Sequence, residues 1–202
     1  MQNIGYITLN ISLVIYLVHF LPQTLHNQFK HTTVNISLWT HTLMIIANAL
    51  DLVYAVGFGL ESQYILVDVI LISFLFIQQL QILNDRKTKL IVCHTLFVSF
   101  FLLLVIFMIS YVMIAQKYLL VLGSFSGVIY NTYWLPQIYK NYKQKNAKGF
   151  SIYFLGLSLT SIACDISSSI FLGWPIISVL TSVGLSILVS IQLLQYFYYR
   201  NK

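Results

Sequence analysis

A Pro-Gln dipeptide occurs twice in this chain, 114 residues apart, each time inside the same local phrase. The first copy reads Leu21-Pro22-Gln23, then Asn27, Lys30 and Ser37. The second reads Leu135-Pro136-Gln137, then Asn141 and Gly149-Phe150-Ser151. The same offset carries Ile15-Tyr16 onto Ile129-Tyr130, Asp51 onto Asp165, and Gln78 and Gln81 onto Gln192 and Gln195. A register held without a gap from residue 15 to residue 81 marks an internal duplication. Such a chain folds into an architecture that builds one unit twice.

Hydropathy fixes the solvent. Hydrophobic residues make up 58% of the chain and charged residues 8%, with a mean hydropathy of +0.82. A soluble domain carries about 25% charged residues, so this chain cannot cover itself with a solvated surface. Seven stretches are long enough to cross a bilayer, near residues 4–27, 36–60, 63–84, 90–114, 117–141, 150–173 and 175–199. The first follows Met1-Gln2-Asn3 directly and lacks both a basic n-region and a small-residue cleavage site. It therefore reads as a retained span, not a signal peptide.

Spans 1–3 and 5–7 are the two copies, and span 4 has no counterpart. An odd linker gives both three-helix units the same orientation in the membrane. The expected fold is an all-α membrane protein with seven transmembrane helices, two parallel three-helix repeats and a linker helix (3+1+3). The expected units are 1–88, 89–115 and 116–202.

Charge gives the orientation. Lys30, Arg86, Lys87, Lys89, Lys140, Lys143, Lys145, Lys148, Arg200 and Lys202 fall on one side if the spans alternate; only Lys117 falls opposite. The positive-inside rule then places the N-terminus outside or in a lumen and the C-terminus in the cytoplasm. The net charge of +6 is thus a topology signal, and its spread over short loops argues against nucleic acid as a partner. Cys93 and Cys164 lie within spans, without metal-ligand spacing, and read as small buried apolar residues. Neither a nucleophile-base pair nor a metal cluster is evident, so no enzyme activity is expected.

The phrase Pro136-Gln137-Ile138, Asn141-Tyr142, Lys145, Gly149-Phe150-Ser151 resembles the signature of the PQ-loop superfamily. That group holds cystinosin, the lysosomal cationic amino-acid exporters and the SWEET carriers. The resemblance covers the whole chain and implies movement of small solutes, often amino acids or sugars, by a passive or proton-coupled route. Asn141 matches a binding-site asparagine of the family. Ser158 and Tyr133 stand where cystinosin-like proteins carry an acid and a lysine, which argues against a cystine-specific site. Copy one departs from the signature at Asn35, which stands where copy two has Gly149.

Pro22 and Pro136 each remove a backbone donor and favour a kink. Gln23 and Gln137 are positioned to re-satisfy the freed carbonyls. A static kink and a hinge for alternating access both fit; the duplication favours the hinge. Three acids lie within spans: Asp51, Asp68 and Asp165. A charge at the bilayer centre costs at least ~2.5–3.5 kcal/mol, which makes each a functional candidate. Asp51 sits about 22 Å from the cytoplasmic end of span 2, and Asp165 is its repeat mate. Asp68 sits about 9 Å in from the outside and fits a structural role equally well. No Lys or Arg shares their depth except Lys117 at the rim, a setting that suits proton uptake from an acidic outside. Asn48, Asn131 and Tyr130 complete the candidate set, and either asparagine fits an interhelical bond as readily as a cavity. His19, His41 and His94 read as packing residues, with a proton relay as the sharper alternative for His19. Glu61 and Asp85 read as solvated loop residues. Gln78, Gln81, Gln192 and Gln195 read as interfacial or helix-bonding residues, with a cytoplasmic gate as the sharper alternative.

The expected function is a secondary transporter for a cationic or neutral amino acid, with protons as coupling ion and no other cofactor. A SWEET-like sugar uniporter is the second reading. A peptide receptor like the KDEL receptor is the third, and the acidic intramembrane charge argues against it. The expected partners are a small-molecule substrate and the lipid bilayer. A bacterial inner membrane is favoured, and an acidic vesicle membrane also fits.

Overall fold

The computed structural model describes residues 2–30, 32–111 and 116–200, and they form helices without strands. The order is α1 (Gln2–Lys30), a 3-10 turn (Thr32–Asn35), α2 (Leu38–Phe58), α3 (Ser62–Arg86), α4 (Lys89–Tyr111), α5 (Gln116–Tyr130), α6 (Leu135–Gln144), α7 (Ile152–Leu172) and α8 (Ile176–Arg200). Lys202, and the side chains of Lys117 and Arg200, lie outside the described set.

Among the described residues, six helices are long and apolar enough to cross a membrane. The fifth expected span is broken in two, α5 and α6. Helices satisfy their own backbone, which is what a hydrocarbon environment demands. Their ends are written locally. The Ser37 side chain accepts from the Thr40 N–H and caps α2. Gly59 and Gly173, related by the repeat offset, close α2 and α7 with φ of 64° and 71°, a conformation that a Cβ disfavours.

Within each repeat the third helix lies in the middle. α3 packs on both α1 and α2, and α8 packs on both α5–α6 and α7. The broadest contacts run between the repeats: α1 lies along α7, and α5 lies along α2. The linker α4 rests on α2 and α3. A polar seam fastens it there, where Thr42 and His94 share a 2.6 Å hydrogen bond and the Gln79 amide donates to Thr95 at 2.7 Å. His41 is buried beside this seam.

Two expectations need correction. Asp85 is not a solvated loop residue: it lies in the last turn of α3 and accepts from the Thr33 hydroxyl at 2.7 Å. The reason is the 3-10 turn, which folds back over the end of α3. Arg86 donates to the Thr33 carbonyl and, at 2.8 Å, to that of Ile36. Lys140 reaches the Val34 and Ile36 carbonyls at 2.7 and 3.1 Å. Cys93 is exposed on α4 instead of buried, since lipid receives a thiol as readily as a protein core does.

Candidate functional site

Asp51 and Asp165 each lie thirteen residues into their helix, α2 and α7, about 20 Å from the end that carries the basic loops. Asp68 enters on α3 from the opposite end. All three line one cavity of about 120 Å³, enclosed by α1, α2, α3, α5, α7 and α8. At ~10–15 Å³ for one water on this measure, the space holds a solute of roughly ten heavy atoms.

Each carboxyl has a different setting. Asp165 accepts from the Ser12 and Tyr16 hydroxyls, both at 2.5 Å. Asp51 accepts from the Tyr64 hydroxyl at 2.6 Å, and Tyr130 lies against it. Asp68 is 3% exposed, and its Oδ2 is buried without a partner. Tyr16 and Tyr130 are repeat mates, so the tyrosine of each repeat serves the aspartate of the other. Aromatic rings make up much of the remaining wall: Tyr54, Tyr133, Trp134, Phe154 and Trp174. His19 also lines the cavity, with its ring stacked 5.3 Å from Phe154.

Below the cavity, toward the basic loops, the aromatic rings close up. Phe20 and Phe154 are 5.0 Å apart, as are Trp134 and Phe150. The Pro-Gln motifs lie under this plug. Pro22 comes twenty residues after α1 begins, and Pro136, in the first turn of α6, twenty residues after α5 begins; at about 30 Å along the span each lies at the basic edge of a ~30 Å hydrocarbon core.

The glutamines act differently from expectation. Neither serves the carbonyls of its own helix. The Gln23 amide donates to the Gly149 carbonyl at 3.0 Å and accepts from the Ser151 N–H at 2.8 Å. The Gln137 amide donates to the Asn35 carbonyl at 3.1 Å and accepts from the Ser37 N–H at 2.6 Å. Gln23 and Gln137 are repeat mates, as are Asn35 and Gly149, and Ser37 and Ser151. Each glutamine therefore holds the loop of the other repeat through two bonds, as one backbone strand would hold another. Both are fully buried. The geometry also explains why copy two needs glycine at 149. A Cβ there would meet the Asn35 carbonyl oxygen at 2.8 Å, because the two loops cross at the axis that relates the repeats.

A second pair extends each latch. Gln23 donates to Asn27 Oδ1 and Gln137 to Asn141 Oδ1, both at 2.8 Å. The Asn141 amide then donates to Gln192 at 2.8 Å and Gln195 at 3.2 Å. In the first repeat the corresponding Asn27 amide has no partner, and Gln81 donates instead to the Thr24 carbonyl at 3.1 Å. These glutamines are thus helix-bonding groups of the basic end, not snorkelling side chains.

The structure divides the sequence candidates. Asp51, Asp68, Asp165, Asn48 and Tyr130 converge on the cavity. Asn131 and Asn141 are not among its lining residues. Asn131 sits at the end of α5, bonded to the Gly127 carbonyl at 2.9 Å and packed on Gly184. Asn141 belongs to the latch, because α6 carries it toward the basic end, ten residues beyond Asn131. Ser12, Tyr64 and Trp174 escaped sequence reasoning. The signal for Tyr16 was present, since the offset maps it onto Tyr130; Tyr64 and Trp174 had none.

The two prolines also differ. Pro22 lies inside the unbroken α1. Pro136 follows the interruption at 131–134, where the Leu135 N–H bonds the Thr132 carbonyl at 2.9 Å, the acceptor that residue 136 lacks a donor for. Pro136→Ala is expected to let α5 and α6 rejoin and to slow solute exchange at least several-fold. Pro22→Ala is expected to leave exchange near the parent rate. Equal effects of the two substitutions in a counterflow assay would refute this division of roles.

The comparisons with known proteins agree with this geometry. The PQ loop repeat family matches twice, over residues 4–64 and 118–178. A solved eukaryotic SWEET transporter superposes with a TM-score of 0.66 at 18% identity, over 100% of this chain and 99% of that one. At that identity the likeness is one of fold. No curated protein matches the chain.

Proposed function

We propose, from the premise that the chain belongs to the PQ loop repeat family, that it is a secondary transporter moving a small cationic or neutral amino acid by proton-coupled alternating access. One observation carries this reading: three carboxyl groups and a wall of aromatic rings meet in a solute-sized cavity on the axis between the repeats. Repeat interfaces near the bilayer midplane are where such carriers bind. No Lys or Arg is among the described residues that line it, which favours a positive or neutral solute over an acidic one. The crossed glutamine latches close the basic end, while the lining reaches Trp174 in the α7–α8 turn at the other. This is the geometry of a carrier closed on one side. The PQ-motif hinge of the cycle falls to the second copy, where the helix is already broken. Protons, carried by the aspartates, are the coupling ion.

The test is uptake into proteoliposomes of labelled lysine, arginine, leucine and glucose, with and without an inward proton gradient. Gradient-stimulated uptake of an amino acid is expected. Uptake of glucose alone, indifferent to the gradient, would replace this reading with a sugar uniporter.

Orientation follows from charge. With the basic loops in the cytoplasm, single cysteines at Ser62 and Pro175, in a chain cleared of Cys93 and Cys164, should react with an impermeant thiol reagent from outside sealed cells. A cysteine at Lys145 should react only after the membrane is opened. Reaction at Lys145 in sealed cells would reverse the topology.

A further inference from the structure

The cavity contains more acceptors than its own hydroxyls can satisfy. Asp51 and Asp165 are served by Tyr64, Ser12 and Tyr16. Asp68 is not: its Oδ2 is buried with no partner. Asn48 repeats the pattern from a different helix. Its amide donates to the Met44 carbonyl one turn back at 2.7 Å, which leaves Oδ1 buried and unbonded. Asn48 and Asp68 are each 3% exposed, and both line the cavity. An unmet buried acceptor is costly, and a carboxylate more so. A ligand that removes the cost at both atoms must donate hydrogen bonds in two directions and carry positive charge. A protonated primary amine, with three N–H donors on one point charge, does this. Tyr64 and Trp174, in edge-to-face contact at 5.2 Å, add aromatic wall of the kind that receives organic cations.

Among the described residues nothing comparable awaits an anion. Arg86 and Lys140 are spent on the carbonyls of the first loop at the basic end. The first turn of α6 is a poor anion seat as well: Pro136 has no N–H and that of Leu135 is taken by Thr132. The unbonded indole N–H groups of Trp134 and Trp174 are single neutral donors, suited to a hydroxyl, a carbonyl or water. A solute carboxylate would share the cavity with three aspartates and find no countercharge.

We propose that Asp68 and Asn48, which line the same cavity as Asp51 and Asp165 and each bury an unpartnered acceptor atom beside it, form the seat of a protonated amine, so that the solute is recognised through its ammonium group and its carboxylate is dispensable. The inference rests on the transporter reading above and sharpens its substrate class: net positive charge is selected, and the decarboxylated amine binds as well as the amino acid from which it derives.

The decisive pair is lysine and cadaverine, which differ by one carboxylate. Binding to purified protein in lipid nanodiscs is followed by the fluorescence of the wall tryptophans or by calorimetry. Cadaverine is expected to bind at least as tightly as lysine, and leucine at least about tenfold more weakly than either. Asp68→Asn and Asn48→Ala, checked for native folding by their chromatographic profile, should each weaken cadaverine about tenfold. Lysine or leucine binding tenfold more tightly than cadaverine would overturn the proposal, as would unchanged cadaverine affinity in both variants. The outcomes separate the two readings. Expected binding with no movement across proteoliposomes removes the transporter and keeps the seat. Movement of leucine with no cadaverine binding removes the seat and keeps the transporter.

Discussion

Asp165→Asn should abolish accumulation driven by an inward proton gradient while substrate counterflow continues. Counterflow requires only that the loaded carrier reorient; accumulation requires that a proton travel with the solute. Asp165 is the best placed of the three acids to make that link. It belongs to α7 of the second repeat, and its two hydrogen bonds come from Ser12 and Tyr16 on α1 of the first. A change in its protonation alters bonds that join the repeats, which are the bodies that must move. An amide in its place keeps the shape and one acceptor but cannot gain or lose the charge. Asp51 has its shortest bond, 2.6 Å, from Tyr64 of its own repeat, across the tight α2–α3 connection, with Tyr130 of the other repeat lying against it. Asp51→Asn is therefore expected to reduce gradient-driven uptake several-fold without abolishing it. Measuring uptake and counterflow side by side for both variants decides the matter. Accumulation at the parent level in both would remove these residues from the coupling path.

Gln137→Ala and Gln23→Ala should each open the basic end and destabilise the fold. Removing Gln137 leaves the Ser37 N–H and the Asn35 carbonyl without their bonds, and removing Gln23 does the same to Ser151 and Gly149. Two buried orphans at ~1–3 kcal/mol each put the loss at roughly 2–6 kcal/mol for each substitution. The loops touch at the repeat axis, so the double variant should lose less than the sum. Melting in detergent measures the stability loss. A cysteine placed at Ser158, a buried residue of the cavity wall, measures the opening: a polar thiol reagent should reach it from the basic side faster in either variant. Parent stability and unchanged labelling would reduce the latches to incidental contacts.

Much of the fold was legible before any coordinates. The Pro-Gln offset established two copies, hydropathy established the spans, and the unmatched fourth span established their parallel arrangement. The offset also marked out Tyr16 with Tyr130, Gln23 with Gln137, and Asp51 with Asp165, all of which prove structurally consequential. The roles were less legible than the residues. Gln23 and Gln137 were expected to repair their own helices and instead hold the opposite repeat. Asn131, which fitted a cavity or an interhelical bond equally, and Asn141, a match to a family binding-site asparagine, lie outside the cavity wall. Asp68, the aspartate with no repeat mate, carries the unpartnered oxygen.

The sequence by itself determined which segments are helices and which are copies, because both follow from local chemistry. A hydrocarbon solvent forces every span to satisfy its own backbone, and a fixed offset needs no knowledge of space. Tertiary structure alone decided who meets whom. In a membrane the lipid is as apolar as the protein interior, so the pattern of hydrophobic residues does not reveal which face of a span turns inward. That α1 lies along α7, that the latches cross, and that Asp51 and Asp165 come to one cavity are properties of the axis relating the repeats. An axis belongs to the assembled pair of repeats, and neither copy contains it.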